Sequence, residues 1–314
     1  MISVLIPNYN GAPFIKGCID SLSEQLGIGD EIVVVDDHST DDSLPLLKNL
    51  SERNPSLVVS INPNRGGASA RNHALSISKH PWIQWLDIDD YLGKNKLRHQ
   101  RLKLKDHPNS IAVSPFVPFI DNPENGTIQE DRDWDCSEIV TGADWLASER
   151  MTIPACWFGP RHIFEKAGPW DTKLKINQDG EYFARVLATS ESVIFTPNVH
   201  VWYRRGNSES VSQFTAEKAA SLFTSIDSIH RTALTLEDSD RMRQMVANRY
   251  QQAIYTAYPH CPDGLAKAKR ILRNLPKPNI SNPNAVSLLS RIISTVFGWR
   301  TLTKLRLLRN KLSS

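Results

Sequence analysis

Cysteine is scarce in this 314-residue chain: Cys18, Cys136, Cys156 and Cys261 form no close pair and no CxxC. That argues against a zinc ribbon and against a secreted disulfide framework. Long apolar runs are absent, and none approaches the ~20 residues that span a bilayer. The opening Ile2 to Pro7 lacks the basic start and small-residue cleavage site of a signal peptide, so the expected place is the cytoplasm. Glycine-rich phosphate loops are missing too. The turn after the first apolar run has Gly11 alone where a dinucleotide fold needs GxGxxG, and GxxxxGK[ST] does not occur, which excludes NAD, FAD and P-loop chemistry. Acid is missing from the tail: Gly264 to Ser314 holds 11 Lys or Arg and no Asp or Glu, leaving 26 basic and 34 acidic residues, a net of −8, elsewhere. An acidic body argues against nucleic-acid binding. The basic tail either meets something anionic, such as the inner face of a membrane through residues 285–314, or is a packed or solvated helical face.

What is present is an ordinary globular composition, 40% apolar and 23% charged, long enough to bury a core without staples. Apolar runs alternate with helical periodicity. Strands are expected at Ile2–Pro7, Glu31–Val35, Leu57–Ile61, Trp82–Ile88 and Ile111–Ile120, the last weakened by two prolines. Helices are expected at Pro13–Leu26, with Phe14, Cys18, Ile19, Leu22 and Leu26 on one face, after Ser39 to Asp42, at Ala68–Ser78 and at Asn95–Lys105. Strands separated by helices imply βαβ units and an α/β, mostly parallel sheet flanked by helices. Residues 1–212 read as a catalytic domain, with a nucleotide-binding half at 1–120 and an acceptor half at 121–212. Residues 213–314 read as a helical extension with helices Ala216–Leu236 and Asp240–Tyr258, a proline-marked linker, and a final helix or helix pair within 286–312.

Each of the first four strands runs into a polar cluster. These are Asn8-Tyr9-Asn10, Asp36-Asp37-His38-Ser39, Asn62 with Asn64-Arg65-Gly66-Gly67 and Arg71-Asn72, and Asp87, Asp89 and Asp90. In a parallel sheet these ends share one edge, where open α/β sheets bind ligands. Several acids at a strand end suit a hard divalent cation, Mn²⁺ or Mg²⁺, better than zinc. The plain alternative for the acids is an exposed turn with helix caps.

Taken in order, Val4-Leu5-Ile6-Pro7-Asn8-Tyr9-Asn10, Val33 to Asp41, Asn64 to Asn72, Trp85-Leu86-Asp87-Ile88-Asp89-Asp90, Gly168-Pro169-Trp170-Asp171, Asn177-Gln178-Asp179-Gly180-Glu181-Tyr182 and Tyr203-Arg204 resemble the family 2 glycosyltransferases of the GT-A fold, over roughly residues 1–212. The resemblance implies a role at each matched position. Tyr9 lies near a nucleotide base, with Pro7 and Asn8 shaping the backbone. Asp37, and secondarily Asp36, accept from the base or ribose. The Gly66-Gly67 turn lets Arg65 and Arg71 approach, and Arg71 closes over the nucleotide. Asp89 is the favoured direct metal ligand, with Asp87 and Asp90 sharing metal and ribose contacts. Asp179 matches the general base of inverting members and is placed ahead of Glu181, although Gln178 stands where many relatives carry Glu.

The implied reaction is in-line transfer of a sugar from a nucleotide-diphosphate donor, with UDP the implied nucleotide, to an acceptor hydroxyl on a saccharide, lipid-linked or other molecule. It belongs to polysaccharide or glycoconjugate biosynthesis. A base on the acceptor hydroxyl is worth ~10²–10⁴ in rate. Arg204 or Arg205 is expected as a second phosphate clamp. Trp157 and Trp170 are read either as an acceptor platform or as packing, and His200 either as a further metal ligand or as a structural histidine. The competing readings are a non-catalytic sugar-nucleotide-binding or scaffold protein, and a nucleotidyltransferase. The latter would use a glycine- and lysine-rich loop that Asn8 to Gly11 does not supply.

Overall fold

The computed structural model describes residues 1–123, 138–206, 214–283, 285, 287, 290 and 297–312, with side chains to 305. The chain divides into two compact units, Met1–Thr172 with Gln178–Val211, and Lys173–Asn177 with Ser212–Ser314.

In the first unit the unbroken apolar runs become the innermost strands. β1 (Ile2–Asn8) and β2 (Glu31–Asp36) are buried almost throughout, as expected for strands covered on both faces. They join β3 (Leu57–Ile61) and β4 (Trp82–Trp85) in an eight-stranded sheet of order β3-β2-β1-β4-β9-β6-β10-β8. The pairs β2–β3, β1–β2 and β1–β4 are parallel, so four carboxyl ends share one rim. β9 (Trp157–Pro160) runs antiparallel between β4 and β6 (Ile111–Val113). β10 (Val193–Phe195) runs parallel to β6, and β8 (Ile139–Val140) closes the sheet antiparallel. A small second sheet, β5-β11-β7, is made of Tyr91–Leu92, Val201–Arg204 and Phe116–Phe119. The architecture is the expected mostly parallel, helix-flanked α/β fold.

Three expectations change in detail. In helix α1 (Ala12–Ser23) the inward stripe is Ile15, Cys18, Ile19 and Leu22. Phe14 lies off it and carries the Arg204 guanidinium 4.8 Å from its ring centroid. The fourth strand stops at Trp85 instead of Ile88, because the aspartates that follow fold into a turn in which the Asp90 N–H donates to the Asp87 carbonyl at 3.1 Å. The expected fifth strand is two strands in different sheets. Pro115 has no N–H for a ladder, and the chain changes sheet there; Pro118 is tolerated because β7 is an edge strand. The helices between strands are α2 (Ser43–Arg53), α3 (Gly67–Ile77) and α4 (Lys96–Lys103), followed by α5 (Gly142–Ala147), α6 (Arg161–Lys166) and α7 (Gln178–Thr189).

In the second unit, α8 (Ala216–Leu236) and α9 (Asp240–Ala257) begin at Thr215 and Ser239, whose hydroxyls accept the N–H groups of Lys218 and Met242. A further helix, α10 (Pro262–Leu272), was not anticipated, because its buried stripe is only Leu265 and Ala268 among basic residues. Asp227 ties the three helices together, accepting from Tyr250 Oη at 2.6 Å and Lys267 Nζ at 2.5 Å. No helix or strand occurs in 273–283. The last helix, Trp299–Leu312, sets Trp299 edge-on to Tyr255 and Tyr258 and buries Leu302. The earlier part of the expected tail helix lies largely outside the described residues. Among the described residues no helix is long and apolar enough to cross a membrane.

Candidate active site

The rim of the large sheet is organised by side chains that satisfy the ends of its own strands. Asn8, at the end of β1, donates through Nδ2 to Asp36 Oδ1 at 2.8 Å. Asp36 also accepts from Ser39 Oγ at 2.6 Å and from the Ser39 N–H at 3.0 Å. Both residues are buried, so Asn8 and Asp36 brace the loops that carry Tyr9 and Asp37. Gly11 allows the close approach this needs, since a Cβ there would stand 2.3 Å from Asn8 Oδ1. Asp37 caps the third loop: both its oxygens accept the Gly66 N–H, at 2.9 and 2.8 Å, and Oδ1 accepts Asn62 Nδ2 at 2.7 Å. Gly66 has φ +107, a conformation that L side chains rarely adopt, and it aims that N–H at the carboxylate. Tyr9 is 58% exposed.

The rim surrounds an open cavity of about 850 Å³, lined among others by Pro7, Asn8, Tyr9, Asp37, Asp87 and Asp89. Six of the expected binding residues thus converge on one space. Arg65, Arg71, Asp90, Asp179 and Arg204 are not in its lining. Arg65 is exposed. Asp90 is buried behind the wall, with Oδ1 accepting the Arg204 N–H at 2.9 Å and Oδ2 without a hydrogen-bond partner among the described residues. Burial first, then the charges of Asp87 and Asp89, hold the Asp90 carboxyl well above the usual carboxylate range, against the pull of the Arg204 N–H and charge.

Arg204 is the brace of this acidic turn. Its Nε donates to the Asp89 carbonyl at 3.2 Å, Nη1 to the Ile120 carbonyl at 2.9 Å, and Nη2 to Tyr91 Oη at 3.1 Å. The guanidinium also sits 4.5 Å from the Phe119 ring centroid. These contacts hold the guanidinium, expected from the sequence as a phosphate clamp, against the acidic turn. His200 lies four residues earlier on the same run, roughly 13 Å along an extended chain, with its carbonyl accepting the Gly93 N–H. Its ring lies edge-on to Trp202 at 4.5 Å, and burial lowers its pKa. Among the described residues no three His, Cys, Asp or Glu side chains form a preformed ligand group.

Asp179 stands in the first turn of α7, after Asn177 with φ 58. Burial pushes its carboxyl up and the Asp87 charge adds to that, while Arg71 pulls it down. Arg71 comes from α3. Its Nη2 pairs with Asp87 Oδ1 at 2.7 Å, and its guanidinium carbon lies 4.8 Å from the Trp170 ring centroid. Burial would lower the Arg71 pKa, but Asp87 and Asp179 together raise it. One cation therefore links the acidic rim to the helix that carries Asp179, across 92 residues of sequence. Glu181 is otherwise engaged: both its oxygens accept from Arg185 at 2.8 Å, and Arg185 also donates to the Ala167 and Pro169 carbonyls. The Glu181–Arg185 spacing of four was the sequence signal for that pair.

Trp157 and Trp170 are both 1% exposed, so neither presents a face to an acceptor. Trp157 stacks on Phe183 at 4.9 Å and Trp170 on Tyr182 at 4.0 Å, as large aromatic surfaces do inside a core. Asn72 holds the Trp170 backbone by two bonds, donating to its carbonyl at 2.9 Å and accepting its N–H at 2.8 Å. Asn62, Ser39 and Asn72 are the site-building residues to which sequence reasoning gave no role, although all three stood inside the polar clusters.

Comparisons with known proteins agree with this geometry. The sequence profile described as Glycosyl transferase family 2 matches residues 3–168. A hyaluronan synthase of Pasteurella multocida is 27% identical over 270 residues, 81% of this chain and 26% of that protein. A chondroitin synthase of the same species is 31% identical over 189 residues, 58% of this chain and 19% of that one. The chain thus spans about a quarter or less of these relatives' length. The solved structure of S. aureus TarS 1–349 superposes with a TM-score of 0.68 at 16% identity, covering 96% of this chain and 90% of that one. The same TarS segment in complex with UDP-GlcNAc gives a TM-score of 0.66 at 17% identity. With more than half of its length matched by the family profile, this chain belongs to the family 2 glycosyltransferases.

Proposed function

We propose that this protein transfers a sugar from a nucleotide-diphosphate donor, a UDP-sugar, to an acceptor hydroxyl with inversion, in the building of a polysaccharide or glycoconjugate. The observation that carries the reading is the link through Arg71 between the acids of the cavity wall and Asp179. It brings a donor-side anion cluster and a half-buried, pKa-raised carboxylate within electrostatic reach of each other. The TarS complex with UDP-GlcNAc and the relatives named for polysaccharide synthesis support the choice of donor.

In this reading Tyr9 stacks on the base and Asp37, half-buried and fixed by Gly66 and Asn62, accepts from base or ribose. Asp179 takes the proton of the acceptor hydroxyl as the hydroxyl oxygen attacks the anomeric carbon. Its raised pKa makes it a stronger base than an ordinary carboxylate. Asp89 and Asp87 are the residues that would hold Mg²⁺ or Mn²⁺. They are hard oxygen donors on the cavity wall, in a turn whose carboxylates repel one another, and Mg²⁺ is commonly held by one or two carboxylates plus substrate phosphates. When bound, such an ion supplies Lewis-acid stabilisation of the leaving diphosphate.

Asp179→Asn is expected to lower transfer by ~10²–10⁴ while UDP affinity, measured by calorimetry, stays within a few-fold. Wild-type turnover in that variant would remove Asp179 from the reaction. A thermal-shift screen of nucleotide sugars with and without Mn²⁺ tests the donor directly, since a ligand of the folded state raises its melting temperature.

A further inference from the structure

The basic tail has no part in the site above, yet it carries the least balanced charge in the molecule. On α10 and the segment after it, Lys269, Arg270, Arg273 and Lys277 are exposed, and Arg300 and Lys304 are exposed on the last helix. Among the described residues none of these six is in an ion pair; Lys267 alone in this stretch is, with Asp227. The last helix turns Leu302 and Thr303 inward, which leaves Arg300, Thr301, Lys304 and Leu305 outward. Two large apolar side chains stand exposed within a few residues of Arg300 and Lys304, Phe297 at 67% and Leu305 at 49%. The nearby Trp299 does not join them, because Tyr255 and Tyr258 hold its ring. The sequence adds Arg291, Arg306, Arg309 and Lys311, and no acid after Asp263.

We propose that this tail docks on the anionic face of a lipid bilayer. Unpaired cations alone would fit any polyanion. Phe297 and Leu305 favour the bilayer, because a lipid surface offers anionic headgroups with hydrocarbon directly beneath them. A polyphosphate would leave both side chains in water, and a polynucleotide could cover an aromatic ring by stacking but offers nothing to Leu305. Lysine and arginine beside an anionic leaflet each strengthen binding roughly 5-fold, and the effect fades within a Debye length, so it is sensitive to salt.

The test is co-sedimentation of the full chain with phosphatidylcholine vesicles, with and without about one third phosphatidylserine. Binding is expected to the mixed vesicles only, and to be released by high salt. The quadruple variant Lys269→Glu, Arg270→Glu, Arg300→Glu, Lys304→Glu should bind at least 10-fold more weakly, and Phe297→Ser several-fold more weakly. All five positions are exposed, and melting curves check that the variants fold. Sedimentation equal with neutral and anionic vesicles, or unchanged by the quadruple substitution, overturns the proposal. So does binding to polyphosphate as tight as to vesicles and indifferent to Phe297→Ser. The readout is sedimentation, not sugar transfer, so its failure leaves the proposed reaction untouched, and loss of transfer in Asp179→Asn leaves the docking untouched.

Discussion

The two sides of the candidate site are built differently. On the donor side, side chains from short contiguous motifs bond to neighbouring strand ends: Asn8 to Asp36, Asp37 to Gly66 and Asn62, Asn10 to the Thr40 N–H at 2.8 Å. On the base side, the packing around Arg71, whose charge lowers the Asp179 pKa, is assembled from distant parts of the chain. Arg71 and Asn72 come from α3, Trp85 from β4, Trp170 from a loop and Tyr182 from α7, with Trp85 edge-on to Trp170 at 5.4 Å and to Tyr182 at 5.8 Å. A polar rim fixes geometry by local hydrogen bonds; the charge state of a base is fixed by a packed shell. The rim should therefore tolerate loss of an aromatic with little effect on stability, and the shell should not.

The sharpest test of that contrast is Arg71→Met, which removes the link between the sides. A loss of roughly 10²-fold in kcat/KM is expected, as for a misplaced catalytic group. The pH profile carries the diagnosis. Asp179 must be ionised to act, so activity falls as pH drops through its pKa. Arg71 holds that pKa down, so its removal must move the acid limb to higher pH. An unmoved limb would mean that Asp179 does not sense Arg71. Next comes Trp170→Ala, expected to cost ~3–5 kcal/mol in urea unfolding, as for a fully buried large aromatic. Tyr9→Ala should stay within ~0.5 kcal/mol while weakening UDP binding. Equal stability losses at the two positions would erase the distinction.

A separate effect, read in pH dependence, is expected at Lys96, which is fully buried and donates to Gln84 Oε1 at 2.8 Å and Gln100 Oε1 at 2.7 Å. Burial pushes its ammonium down from 10.5 to about 7. Between these values the unfolded chain binds the extra proton, so stability should rise with pH from about 7 to 10.5. Lys96→Met should flatten that rise in melting temperature. An unchanged slope would assign the pH dependence to other groups.

How far the sequence could be read follows the same division. The parallel strands and their polar ends were visible because periodicity and turn chemistry are local signals. The sheet change at Pro115 was visible only as a weakness, since which sheet a three-residue strand joins is decided by tertiary pairing. Trp157 and Trp170 were open between sugar platform and packing, and burial answers for packing. The Glu181 carboxylate is held by Arg185, a contact four residues away on one helix. Arg204 lay in a recognisable motif, but its partners are carbonyls and rings that no motif encodes.

That last residue has a consequence for the acidic turn. Because the Arg204 side chain spends its donors on neutral oxygens, it fixes the shape of the turn without forming an ion pair with its carboxylates. Its charge still acts on the turn, lowering the Asp90 pKa, so a positive guest would meet a backbone already held in shape and carboxylates partly offset by Arg204 and, at Asp87, by Arg71.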